Sequence, residues 1–136
     1  MTRYIAIIDY DEKDGLYGAY FPDAPGCTAM GKTEEEVVAN ATDALAEWVA
    51  DARSDGQDIP RPRSYVELLK SREYGLGKGG MIATIPLIAD TGKVIRANIS
   101  IDAGLLSVID EEANRQGVTR SAYLAAAARE RIKSHA

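Results

Sequence analysis

The chain has 136 residues, 46% hydrophobic and 27% charged, with a net charge of −5. That is the balance of a folded protein of one ordinary domain or two very small ones, not of a disordered chain. It also excludes a generic basic nucleic-acid coat, no apolar run approaches the roughly 20 residues that cross a bilayer, and the single cysteine, Cys27, excludes an internal disulfide or a multi-cysteine zinc site.

The opening MTRYIAIIDYDEKDG reaches acidic residues too early for a signal peptide, so a cytoplasmic location is expected. RYIAIIDY (3–10) reads as a strand, DEKDG (11–15) as a turn and LYGAYFP (16–22) as a second strand, together a hairpin. PDAPG (22–26) is a proline–glycine turn, and CTAMG (27–31) a short third strand. The period then changes. Thr33 and Glu36 have the spacing of a reciprocal capping box. Val37, Ala41, Leu45, Trp48 and Ala52 follow at helical spacing, flanked by Val38 and Val49, which predicts a helix from 34 to about 54. SDGQDIPRPRS is a proline-containing loop, YVELLKSREYG (65–75) one or two helical turns, and GKGG (77–80) a loop without the phosphate-binding pattern. MIATIPLIA (81–89) is a fourth strand, which Pro86 places at an edge or brings to an end.

DTGK (90–93) marks a boundary between two domains, 1–90 and 91–136. Counting charges on either side of residue 90 gives 9 Lys/Arg against 16 Asp/Glu, or −7, and then 7 against 5, or +2. An acidic part suits a basic protein partner, and a mildly basic part suits phosphate. VIRANISI (94–101) alternates, with Ile95, Ala97, Ile99 and Ile101 apolar and Arg96, Asn98 and Ser100 polar. Asp102 can cap a helix whose buried stripe is Leu105, Ile109 and Ala113, with Leu106 beside it. Gly117 stops that helix, Thr119 caps the next, and Leu124, Ala128 and Ile132 form the last stripe.

One short strand and two helices hold too little apolar surface to stand alone, and they leave a strand edge unpaired. Antiparallel pairing with a second copy solves both problems. The isoleucines would enter a shared core, and Arg96, Asn98 and Ser100 would line the outside of a two-stranded ribbon that fits the DNA major groove. The plainer alternative is a half-exposed edge strand with solvated polar residues.

VIRANISIDAGLLSVIDEEANRQGVTRSAYLAAAARERI resembles the ribbon–helix–helix fold of the MetJ/Arc repressors. The resemblance implies that Arg96, Asn98 and Ser100 read the groove, with Ser100 the shortest reach, and that Thr119, Arg120 and Ser121 grip a phosphate at the start of the second helix. Free N–H groups and the helix dipole favour an anion there. YGAYFPDAPGCTAMGKTEEEVVANATDALAEWV resembles the HicB antitoxin family, and with the tail the likeness covers nearly the whole chain. It implies an α+β chain: a truncated ribonuclease-H-like β-β-β-α-β domain that blocks a small, basic, RNA-cleaving toxin, HicA, and a C-terminal domain that dimerises and binds an inverted repeat in its own promoter. Pro22, Asp23, Pro25, Glu34 and Glu35 are candidates for the toxin-facing surface on position and charge alone. Whether dimers join into tetramers through the N-terminal domain stays open.

Two other functions compete with an antitoxin that represses its operon. A stand-alone regulator would use the N-terminal domain to sense a ligand. A metal-dependent nuclease would need several carboxylates converging on two metals. Asp9, Asp11, Asp14 and Asp23 are available, but Asp11 and Asp14 fall in the turn and no helix carboxylate completes the set. The expectation is therefore no enzyme, no metal and no cofactor. Cys27 reads as a packing thiol, Trp48 as core, and Tyr4, Tyr10, Tyr17 and Tyr20 as core or sheet-surface residues. His135, beside the end of the chain, is expected to be disordered rather than catalytic.

Overall fold

The computed structural model describes residues 1–74, 76 and 80–135. It divides into two compact units, residues 1–90 and 91–135. Among the described residues no helix is long and apolar enough to cross a membrane.

The first unit is a four-stranded antiparallel sheet with one long helix across a face. In chain order it contains β1 (Arg3–Asp11), β2 (Leu16–Tyr20), β3 (Thr28–Gly31), α1 (Glu34–Ser54), α2 (Tyr65–Ser71) and β4 (Met81–Pro86). The strands lie in the order β3-β2-β1-β4, so β1, the most apolar, is central. Ile7 faces Tyr20 and Ile8 faces Ala19 across the hairpin, and on the other side Tyr4 faces Ile85 and Ile7 faces Ile82. Because side chains alternate along a strand, this register puts Tyr4, Ala6 and Ile8 on the face that α1 covers. They meet Ala19, Phe21, Ile85 and the helix residues Val37, Ala41, Leu45 and Val49 in one buried core. Ile5 and Ile7 point the opposite way and are buried as well. Tyr20, the partner of Ile7, stands beside the Tyr74 ring, 6.4 Å between centroids. β4 is indeed an edge strand and ends at Pro86.

Helix α1 has the expected span. Thr33 Oγ1 accepts from the Glu36 N–H at 3.0 Å. The return bond from the Glu36 side chain is not made among the described residues; the reciprocal box occurs instead at α2, where Ser64 and Glu67 exchange both bonds. Gly31 lets the start of α1 sit directly on β3: a Cβ there would lie 2.5 Å from the Val37 nitrogen. Trp48 is at the rim of the core rather than within it, its indole Nε1–H donating to the Pro25 carbonyl at 3.1 Å. The second strand stops at Tyr20 and the third begins at Thr28, so Pro22 and Cys27 belong to the connecting turn. The GKGG loop expected at 77–80 lies, apart from Gly80, outside the described residues.

The second unit contains α3 (Ala103–Gln116) and α4 (Arg120–Ser134). Its caps are those expected. Asp102 Oδ2 accepts from the Leu105 N–H at 3.0 Å, and Thr119 Oγ1 from the Ala122 N–H at 3.1 Å. Gly117 ends α3 at φ 71°, after which the Val118 N–H reaches back to the Ala113 carbonyl at 2.9 Å. His135 caps α4 instead of trailing off disordered.

The apolar stripes differ from expectation. Ile109 and Ala113 are buried, but Leu105 is 52% exposed, Ala128 is exposed, and Leu106, Leu124 and Ile132 are only half-buried. Nor do residues 94–101 form a strand in the single chain: no ladder is present there, and Ile95 and Ile99 are 76% and 64% exposed. A strand exists only against a partner whose N–H and C=O groups complete it. Two helices crossing once bury one contact line and leave the rest of each stripe in water.

Candidate functional site

Two places collect the candidate residues. The first is the turn Pro22–Gly26. Tyr4 anchors the neighbouring loop, its hydroxyl donating to the Pro60 carbonyl at 2.6 Å. Burial, and then the Asp23 carboxylate, raises the Tyr4 phenol above its ordinary range. Asp23 itself is buried, with an exposure of 8%. Its Oδ1 accepts from Arg63 Nε and its Oδ2 from the Arg63 backbone N–H, both at 2.7 Å. The Tyr74 hydroxyl donates to the Pro22 carbonyl at 3.4 Å and Trp48 to that of Pro25. Within the turn, the Ala24 N–H reaches the Phe21 carbonyl and the Cys27 N–H that of Ala24. Pro22 and Asp23 are therefore inside, where they shape the turn; Pro25 and Gly26 form its exposed tip.

Glu34 and Glu35 are exposed at the start of α1. Burial, and then the nearby Glu34 charge, raises the Tyr17 phenol above its ordinary range. Tyr17 in turn packs on Tyr10, centroids 4.8 Å apart, with Tyr10 53% exposed. Nothing in the local sequence pointed to Arg63, which is separated from Asp23 by 40 residues. The Ser64–Glu67 box, by contrast, carries an S-x-x-E signature that is visible in the sequence.

The nuclease carboxylates do not converge. Asp23 is bound to Arg63, and Asp11 accepts the Lys13 N–H two residues on. Among the described residues no three His, Cys, Asp or Glu side chains gather to hold a metal. Cys27 is buried, and burial, then the charge of Glu47, pushes its thiol up to about 11.

The second place is residues 94–121. Arg96, Asn98 and Ser100 are all exposed, and the Arg96 side chain has no hydrogen bond or ion pair among the described residues. Thr119 is the α4 cap and Ser121 is exposed beside it. Arg120 is engaged: Nε donates to Asp110 Oδ1 at 2.8 Å and a terminal nitrogen to Oδ2 at 2.7 Å.

These features define a mixed α+β protein with an acidic sheet-and-helix unit and a small two-helix unit. Residues 4–128 match the HicB-like antitoxins of bacterial toxin–antitoxin systems, and the chain belongs to that family. It is 36% identical over 59 residues to UPF0150 protein Ta0767 of Thermoplasma acidophilum, covering 43% of this chain and 84% of that one. The crystal structure of the Burkholderia pseudomallei antitoxin HicB is similar over 96% of this chain and 98% of its own, with TM-score 0.56 and 28% identity. That of antitoxin HicB3 is similar over the same shares, with TM-score 0.54 and 26% identity. A HicA3 and HicB3 toxin–antitoxin complex contains a chain matching 65% of this one and 99% of its own, at TM-score 0.50 and 24% identity, a likeness of fold.

Proposed function

We propose that this protein is the antitoxin of a HicA/HicB-type pair, neutralising an mRNA-cleaving toxin by steric cover and repressing its own operon. The family match across residues 4–128 carries this reading, because it runs through both units. No chemistry is required of the protein. The N-terminal unit, taken as a truncated ribonuclease-H-like fold, would oppose its net negative charge to a basic toxin. The exposed tip of the turn (Pro25) and the start of α1 (Glu34, Glu35) are the contact candidates that reach solvent.

The C-terminal unit would act as a ribbon–helix–helix dimer. Pairing residues 94–101 antiparallel with a second copy would bury Ile95, Ile99 and the open side of α3 and α4, all exposed in one chain. The same pairing would turn Arg96, Asn98 and Ser100 outward in a row. Arg and Asn can each make a bidentate contact to a base edge, worth about 1–3 kcal/mol of discrimination. Thr119 and Ser121, exposed at the start of α4, would hold a phosphate.

Co-expression with the adjacent open reading frame, followed by affinity purification, tests the toxin half. A small basic protein should copurify and be toxic alone; no copurification and a harmless neighbour would leave a DNA-binding regulator whose N-terminal unit has another task. Arg96→Ala should abolish discrimination between operator and scrambled DNA without releasing the toxin. Unchanged sequence preference in a gel-shift titration would remove Arg96 from the readout.

A further inference from the structure

Arg120 is the only charged residue among the three expected to hold a phosphate, and it is not a free cation. Its guanidinium forms a two-pronged contact with Asp110 from the preceding helix, at 2.8 and 2.7 Å. Both side chains are partly open to water, at 54% and 40%. The hydrogen bonds from Arg120 hold the Asp110 carboxyl below its usual range, so the pair stays ionised through neutral pH. Two N–H groups of the fork are spent on the carboxylate, and the pair has no net charge. A neutral pair displaces no counterion from DNA, however close it lies to a phosphate.

We infer that Asp110 is a built-in restraint on DNA binding: it neutralises Arg120, so that the start of α4 meets a phosphate through uncharged donors alone. This rests on the operator-binding reading above and states which charges that site uses. The restraint also links α3 to α4, since Asp110 and Arg120 flank the Gly117 stop. It would leave Arg96 as the chief cation of the interface, favouring base readout over indiscriminate affinity.

Asp110 could instead buttress Arg120, aiming its remaining N–H groups at a phosphate; removing the carboxylate would then weaken binding. Asp110→Asn separates the two. It is nearly isosteric, keeps an oxygen that can accept from Arg120, and releases the positive charge.

Operator binding by the full chain is measured by fluorescence anisotropy on DNA from upstream of its own gene, at several salt concentrations, with a scrambled duplex for comparison. Expected is a three- to eightfold tighter Kd for Asp110→Asn at about 0.1 M salt, with log K against log salt steeper by about 0.9 for each chain bound. Both gains should vanish in Asp110→Asn/Arg120→Met. Glu111→Gln removes a charge from the next position of the same helix and should produce less than half the change. Circular dichroism melts verify that each variant is folded. Weaker or unchanged binding by Asp110→Asn overturns the inference, as does an equal gain from Glu111→Gln. If the wild-type chain prefers neither duplex, the operator reading itself falls.

Discussion

In residues 1–90 a complete helix face closes on a sheet: Val37, Ala41, Leu45 and Val49 of α1 are all fully buried, and the central strand is buried on both sides. In residues 91–135 only Ile109 and Ala113 are buried, while Val94, Ile95, Ile99, Leu105 and Val108 stand at least half exposed. The caps are equally good in both units. The difference lies entirely in what the apolar stripe meets. Local rules of capping and periodicity act within a dozen residues and make helices in either unit, whereas burial needs a second surface. The first unit carries that surface in its own chain, and the second, within its own residues, does not.

The largest effect should come from the core of the first unit. Leu45→Ala leaves a hole under α1 and should cost about 2–5 kcal/mol. Leu124→Ala, in the half-buried stripe of α4, should cost little in the isolated chain and more where a second copy covers the stripe, so its loss in urea unfolding should grow with protein concentration while that of Leu45→Ala does not; a large loss independent of concentration would erase the contrast. Next is Asp23→Asn, which weakens the two charge-assisted bonds from Arg63; with Asp23 buried and Arg63 29% exposed, the loss should be about 2 kcal/mol. Urea unfolding of Asp23→Asn beside the wild type at neutral pH checks it. Thr33→Ala and Thr119→Ala each remove one cap bond, at about 1 kcal/mol apiece. Similar losses in thermal melts would show that caps act alike in the two units, and a much larger loss at Thr119 would mean that its unit depends on local bonds for want of a core.

The smallest change is kinetic. The Cys27 thiol is pushed up to about 11, so it stays protonated and shielded at pH 8. A thiol reagent should label the native chain slowly, with a rate that rises tenfold per pH unit until the thiol titrates, and label the denatured chain at once. Rapid labelling of the native protein at pH 8 would show that the turn around Cys27 opens.

Much of this architecture was legible in the residues. The apolar, β-branched run of RYIAIIDY, the Thr33 cap of α1, the Val37-to-Ala52 stripe, the proline in MIATIP and the Asp102, Gly117 and Thr119 caps each express a rule that operates over a few residues, and the chain obeys them. Gly31 allows the close approach of α1 to β3, but beside the bend at residues 32–33 a glycine reads in the sequence as an ordinary turn residue. The resemblance to HicB antitoxins rests on the aromatic strand ending in FPDAPGC, the short strand to GKT and the amphipathic helix, which are β2 with the turn after it, β3 and α1.

Tertiary structure alone decided three things. It took Pro22 and Asp23 from the candidate surface into the interior, because Arg63 arrives from 40 residues away, a distance across which no sequence period extends. It tied Arg120 to Asp110 across the Gly117 stop, because the angle at which two helices meet is set by packing and not by either helix's own pattern. And it left VIRANISI without a ladder: alternation specifies which side chains would share a face, but a strand is a relation between two backbones, and one chain supplies only one of them.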